Sequence, residues 1–251
     1  MKKIIIAASM LAATFAANAQ DPSLAPTRLY KPVAGNVLAE IGFLAVGVAD
    51  DPTSLSESPY ALTPQLKFRY FLQDQIALRV GFNFSQRASV NRIYEANPGS
   101  GEGFAKDASS TFMLNAGLEK HFTGTGRLST YAGADLSFRK VSASTKWENT
   151  ADGINFSNGD TRQTRGFNDG GVNGSFGFGL RAVAGADYYF VEKVYLGAEF
   201  GWGFIASRDS KTKEEETVGG VTSDPVENDS PGGSFELAPS LTAGLRLGFI
   251  F

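Results

Sequence analysis

The chain has 251 residues, with 23 lysines and arginines against 26 aspartates and glutamates, one histidine and no cysteine, for a formal charge of −3. The lack of cysteine excludes a disulfide framework, a lipid anchor on an N-terminal cysteine and a cysteine metal site. The mild acidity gives no footing for nucleic acid, and no apolar run long enough for a membrane helix follows the first nineteen residues.

Residues 1–19 read as a cleaved signal peptide. Lys2 and Lys3 supply the positive start, residues 4–16 the short apolar core, and Ala17, Asn18 and Ala19 a small-residue cleavage site. Losing the two lysines takes the formal charge from −3 to −5. An exported chain without cysteine suits an oxidising periplasm. Residues 20–34, with Pro22, Pro26 and Pro32, read as a periplasmic lead-in. Residues 35–251 are then expected to form one domain.

Eight segments of that domain alternate with a period of two, the repeat of a strand with one oily face. The first points Val37, Ala39, Ile41, Phe43 and Ala45 one way, with Glu40 and Gly42 opposite. The second sets Leu66, Phe68 and Tyr70 against Gln65, Lys67 and Arg69, and the third sets Leu78, Val80, Phe82 and Phe84 against Arg79, Gly81 and Asn83. The fourth sets Phe112, Leu114, Ala116 and Leu118 against Asn115, Gly117, Glu119 and His121. The fifth sets Ala132, Ala134, Leu136 and Phe138 against Tyr131, Gly133, Asp135 and Arg139. The sixth sets Phe176, Phe178, Leu180, Ala182, Ala184 and Ala186 against Gly177, Gly179, Arg181, Gly185 and Asp187. The seventh sets Leu196, Ala198, Phe200, Trp202 and Phe204 against Gly197, Glu199, Gly201 and Gly203. The eighth runs to the last residue, with Leu237, Leu241, Ala243, Leu245, Leu247, Phe249 and Phe251 on one face.

Short turns at 72–75, 123–127 and 191–193 alternate with long polar loops at 47–58, 86–108, 140–174 and 207–233. Outer-membrane barrels keep short turns in the periplasm and long loops outside, so both termini are expected in the periplasm. A soluble eight-stranded barrel buries its apolar residues inside. Here the opposite face carries glycine and full charges, which could not fill a dry core, so the apolar face must meet lipid. Only a closed barrel then satisfies every backbone polar group. The expected fold is all-β, an eight-stranded antiparallel up-and-down transmembrane β-barrel, with ten strands if 140–174 adds a hairpin. Lys120 breaks the lipid-facing pattern, but it lies beside a short turn, where its ammonium can snorkel to the headgroups.

The terminal Leu245-Arg246-Leu247-Gly248-Phe249-Ile250-Phe251 is similar to the C-terminal signal that outer-membrane barrels present to the barrel-assembly machinery. With the eight alternating segments, it makes residues 35–251 resemble small bacterial outer-membrane β-barrels of the OmpA-barrel/OmpX type, a porin-like family. Phe249 and Phe251 match the family's aromatics. Arg246 stands where the family usually has glycine, and this chain's glycines are Gly244 and Gly248. The resemblance implies outer-membrane lipid, lipopolysaccharide and, during biogenesis, the assembly machinery as partners. It implies no cell-wall tether, because no peptidoglycan-binding domain follows the barrel.

Inward positions collect six bases, Lys67, Arg69, Arg79, Arg139, Arg181 and Arg246, and six acids, Glu40, Glu119, Asp135, Asp187, Glu199 and Glu236. An eight-stranded barrel is just wide enough for side chains to fill. Balanced signs favour a paired network and a plugged lumen, with Glu40 and Glu199 as partners of Lys67, Arg69 and Arg79. A selective ion path would show an excess of one sign. His121 is the only histidine and falls at the periplasmic end, whereas lipid-modifying barrel enzymes work at the outer leaflet. No Ser-His-acid constellation is expected, and one histidine without cysteine makes a metal site a poor fit. The Gly-x-Gly repeats at Gly177–Gly179 and Gly201–Gly203 are strand glycines, not a phosphate-binding turn. Residues 207–233 hold seven acids, which read as a solvated loop, with a divalent-cation contact to lipopolysaccharide as the sharper option. The expected function is a non-enzymatic barrel without cofactor, its lumen filled and its loops exposed. A narrow channel and a lipid-modifying enzyme stand as the alternatives, and any loop-binding partner is left unidentified.

Overall fold

The computed structural model describes residues 30–46, 62–94, 102–150, 156–229, 232–238 and 242–251, with side chains for 30–42, 65–92, 102–150, 157–229, 232–235 and 245–251. The expected signal peptide, most of the lead-in and the loop 47–58 lie outside the described residues. Thirteen strands and no helix occur among those described. They are β1 (Val37–Val46), β2 (Leu62–Gln73), β3 (Ile76–Tyr94), β4 (Glu102–His121), β5 (Leu128–Thr150), β6 (Phe156–Arg165), β7 (Ser175–Val191), β8 (Val194–Asp209), β9 (Thr212–Val218), β10 (Val221–Thr222), β11 (Val226–Asn228), β12 (Gly233–Ala238) and β13 (Thr242–Ile250).

Eight strands close a ring of antiparallel neighbours: β1, β2, β3, β4, β5, β7, β8 and β13, with β13 returning to β1. The seam pairs Leu38 with Ile250 and continues to Val46 with Thr242. β12 continues the line of β13 along β8, pairing Leu237 with Phe204. A closed ring leaves no unpaired edge in the apolar zone, as lipid requires.

The alternation carries straight into the exposure pattern. Leu78, Leu118, Phe178, Leu180, Phe200 and Leu247 stand exposed on the outer face, while Lys67, Arg69, Arg79, Glu119, Asp135 and Asp187 are buried inside. Phe112, Phe138, Phe176 and Phe178 pack edge to face on the outer side, with ring centroids 4.6–6.4 Å apart. This aromatic patch marks the upper limit of the apolar zone. Lys120 is exposed one residue before the end of β4, at the opposite limit.

The short turns gather at one end of the barrel. β7 and β8 are joined through Glu192 and Lys193, where Lys193 takes a left-handed backbone (φ 63°) beside a register shift between Tyr189 and Val191. The N-terminal residues are tied across this same end. The backbone N–H of Gly35 donates to the Phe71 carbonyl at 2.8 Å, and that of Ala34 to Asp74 Oδ1 at 3.0 Å. Arg127 lies over the Tyr30 ring at 4.6 Å and donates to its hydroxyl at 3.2 Å. Tyr30 in turn packs on a buried cluster of Leu38, Phe71, Ala77, Tyr189, Tyr195 and Ile250. The lead-in thus joins an apolar floor under the lumen.

At the other end the structure corrects the sequence reading. The segments 86–108, 140–174 and 207–233 are mostly strand. β3 and β4 pair as far as Tyr94 with Glu102, and β5 leaves β7 at Val141 to pair with β6 from Ser144. β6 then pairs with β9, which carries β10 and β11. The acidic loop is therefore a sheet laced with ion pairs: Arg162 to Glu214 at 2.5 Å, Lys211 to Asp229 at 3.0 Å, and Lys213 to Glu227. The hairpin considered for 140–174 exists as β5–β6, but β6 turns to β9 and the ring stays at eight. Polar composition had signalled exposure to water, and exposure does not preclude strand pairing in a run rich in serine and threonine.

Candidate functional site

The chemistry of this chain is concentrated inside the barrel. Five cations (Lys67, Arg69, Arg79, Arg181, Arg246) and five carboxylates (Glu40, Glu119, Asp135, Asp187, Glu199) meet in one buried network. They arrive from β1, β2, β3, β4, β5, β7, β8 and β13, each at an inward position of its strand.

Arg69 donates to Glu119 Oε1 at 2.9 Å and to the Tyr195 hydroxyl at 2.6 Å, lies 2.8 Å from Asp187 Oδ2, and pairs with Glu40 through Nε. Arg79 bridges Glu119 at 2.9 Å, Asp135 at 2.9 Å and Glu199 at 2.8 Å. Arg246 bridges Glu40 at 2.9 Å, Asp187 at 2.8 Å and Glu199 at 3.1 Å. Glu199 is the hub. It also receives Lys67 Nζ at 2.8 Å and the Tyr131 hydroxyl at 2.7 Å, and lies 3.8 Å from Arg181, which pairs with Asp135 at 2.6 Å. Charges out of bulk water persist when each finds several such partners.

Two features missing from the sequence reading complete the network. Tyr131 lies under three guanidinium groups, those of Arg69, Arg246 and Arg79, at 5.5, 5.4 and 6.0 Å from its ring centre. Tyr195 caps Arg69 from below, its ring 5.2 Å from the guanidinium. Both share the parity of the inward charges, a signal that was present but overshadowed by the charges. Strand glycines make room for these long groups. A Cβ on Gly248 would enter the Tyr195 ring, and one on Gly197 would stand 2.8 Å from an Arg246 nitrogen.

Two of the expected members stand apart. Arg139 is half-buried above the network, opposite Gly177, and its Nε has no hydrogen-bond partner among the described residues. Five residues of β5 separate it from Gly133, the level at which β4 contributes Glu119. The side chain of Glu236 lies outside the described residues; its backbone pairs with Ile205.

His121 corrects a second expectation. A serine, a histidine and an acid do come together: His121 Nδ1 is 2.8 Å from Ser129 Oγ, and Nε2 is 2.9 Å from Glu119 Oε1. They met because β4 and β5 pair His121 with Tyr131, two residues from Ser129. His121 and Ser129 line a cavity of about 320 Å³ at the short-turn end, with Lys31, Asp74 and the turn 122–126. The bonding order is the reverse of a hydrolytic triad, in which Nε2 faces the serine and Nδ1 the acid. Both Glu119 oxygens are already held by Arg69 and Arg79. The imidazole is flanked by Phe71 and Tyr131, ring centres 5.0 and 5.2 Å away, so the trio braces the floor of the network.

The terminal aromatics close the seam. Phe249 and Phe251 face outward, and the backbone N–H of Phe251 donates to the Val37 carbonyl at 2.8 Å. Phe251→Asp puts a carboxylate at the rim of the apolar zone and removes the last aromatic. We expect it to reduce outer-membrane insertion, read as loss of the heat-modifiable band in outer-membrane fractions; an unchanged band would refute this.

No curated protein matches the chain. Among solved structures, it is similar to the N-terminal β-barrel domain of Pseudomonas aeruginosa OprF, at 15% identity and a TM-score of 0.36, covering 88% of this chain and 100% of that one. It is similar to a major outer-membrane protein of Thermus thermophilus, at 12% identity and a TM-score of 0.43, covering 86% of this chain and 98% of that one. It is also similar to Ail, the attachment invasion locus protein of Yersinia pestis, at 14% identity and a TM-score of 0.38, covering 87% and 99%. The family profile matches residues 54–202, more than half of the sequence. The chain is an outer-membrane β-barrel and belongs to the OmpA-OmpF-like porin family.

Proposed function

We propose that this barrel is a non-enzymatic, non-conducting scaffold of the outer membrane, serving envelope integrity or surface contact. Its short-turn end and both termini face the periplasm, and its long-strand end faces outside, the usual placing of short turns and long connections. The observation that carries the reading is the ion-pair network, in which five cations and five carboxylates from all eight ring strands satisfy one another across the lumen. The apolar floor of Leu38, Phe71, Tyr189, Tyr195 and Ile250 lies beneath it. An eight-stranded ring is just wide enough for side chains to fill, whereas porins of roughly 16–18 strands leave an aqueous channel. The extended sheet of β3 to β6 and β9 supplies a rigid surface for contact, and binding commonly resides on such connections.

Planar-bilayer recording of the purified barrel tests this. The expected trace is flat, with at most rare and small openings. Steady conductance of porin size would overturn the reading.

A further inference from the structure

Above the ion-pair network, the lumen carries donors with no acceptor to meet them. Gln65 of β2 and Asn115 of β4 are 6% and 4% exposed, yet the amide nitrogen of each has no hydrogen-bond partner among the described residues. The same is true of Nε of Arg181 on β7, 7% exposed, and of Nε of the half-buried Arg139 on β5. All four sit at inward positions, and the register gathers them. Gly81 of β3 pairs with Asn115, and a Cβ on it would stand 3.3 Å from Gln65 Nε2, so bare backbone separates the two amides. Asn115 pairs with Ser137 of β5, whose hydroxyl donates to Asn115 Oδ1 at 2.7 Å and leaves the nitrogen free. Arg139 is the next inward residue above Ser137. Arg181 pairs with Asp135, the next below.

Nor does the charge of this region cancel. The network below balances five cations with five carboxylates, so Arg139 stands as a surplus positive charge. No carboxylate occupies the inward positions beside it, which are Met113 and Asn115 on β4, Ser137 on β5, and Gly177 and Gly179 on β7. Asp135 beneath is held by Arg79 and Arg181. Asp107, six residues along β4 from Met113, accepts from Thr145 at 2.5 Å. The backbone of Glu236 lies three strands round the ring from β5, opposite Ile205. Donors from four strands therefore share one positively charged layer.

We propose that this upper lumen is a cup for one small tetrahedral oxyanion. The Arg139 and Arg181 nitrogens and the Gln65 and Asn115 amides donate to its oxygens, and Arg139 supplies the matching charge. Hydrogen bonds to an ionised acceptor are shorter and stronger than neutral ones. The donors come from β2, β4, β5 and β7 and approach from several directions, which suits four oxygens better than two. A buried donor left without an acceptor is destabilising, so the anion also satisfies groups that the fold itself does not. The network and the apolar floor close the lumen beneath, which makes the cup blind. That last feature rests on the barrel not conducting; binding in detergent and bilayer recording test the two separately.

The test titrates the full purified barrel in detergent with inorganic phosphate, by isothermal calorimetry at fixed ionic strength. Saturable binding of one phosphate per barrel is the expected result. Arg139→Gln should bind about tenfold more weakly or worse, the factor that a hydrogen bond to a charged group supplies. Asn115→Asp keeps the acceptor for Ser137 but puts a carboxylate in place of the donor, and should lose binding as well. Arg165→Gln removes an exposed cation outside the lumen and should bind as the parent does. Sulfate should compete, whereas chloride and acetate at the same concentration should not. Heat-modifiable migration checks that each variant is folded, and Asn115→Asp carries the test if Arg139→Gln does not fold. Absence of saturable binding by the parent would overturn the proposal. So would parental affinity in the folded lumen variant, an equal loss in Arg165→Gln, or competition by chloride or acetate as strong as that by sulfate.

Discussion

Glu199→Ala should destabilise the barrel by about 3–5 kcal/mol, the usual penalty for removing one partner of a buried ion pair. The carboxylate is the one acceptor shared by Lys67, Arg79 and Arg246, and Tyr131 donates to it as well. Its removal leaves three strands with charges facing one another and less to hold them. Lys67 suffers most, because its remaining partner is Glu40 at 4.0 Å. Arg79 and Arg246 keep two carboxylates each. Glu199→Gln keeps an acceptor oxygen and should be milder. Urea unfolding in lipid vesicles, followed by tryptophan fluorescence, gives the number. A loss below about 1 kcal/mol, the range of exposed pairs, would mean that water reaches the network and replaces the missing oxygens.

Ala134→Arg should destabilise by about 2–4 kcal/mol, through loss of hydration in lipid and not through pairing. Ala134 is exposed on the outer face of β5, midway between Thr130 and Phe138, and its ladder neighbours are Leu118 on β4 and Ala182 on β7. Neither neighbour can receive a guanidinium. Thr130, four residues back on the same face and close to the short turn 122–127, is the control. Thr130→Arg can reach the headgroups and should cost about 0–1 kcal/mol. Equal effects at the two positions would mean that the apolar zone has been placed wrongly.

The barrel was legible because lipid enforces a strict rule. With one face in hydrocarbon, each ring strand must alternate, and a pattern such as Phe176-Gly177-Phe178-Gly179-Leu180-Arg181 has one reading. Inward charges followed from the same parity, and ten of the twelve named meet in the network. Arg139 does not, because parity gives the direction of a side chain but not its height above the others. The Ser129–His121–Glu119 chain was invisible for a related reason. It depends on the register between β4 and β5, which sets His121 opposite Tyr131 and was not fixed by either strand alone. The strands above the membrane escaped because neither face there is apolar. With water on both sides, Ser109, Ser110 and Thr111 carry no alternation to read, although they pair with Ala143, Ser142 and Val141 without interruption.

The closing seam joins β1 to β13, the first strand of the barrel to the last, and Glu40 and Arg246 reach each other from its two sides. Every strand of the ring must therefore be made before it can shut. Hairpins such as β3–β4 join near neighbours in sequence and can form early, whereas the seam is the most distant pairing available and among the slowest to be reached. Until it forms, β1 and β13 are two open edges, and their polar groups invite pairing with other chains. An unclosed barrel thus has a hazardous interval that ends only when β13 reaches β1. When the seam shuts, Arg246 bonds Glu40, Asp187 and Glu199 together, so zipping the backbone and locking the interior become one event. Partly closed barrels should accordingly be scarce at equilibrium.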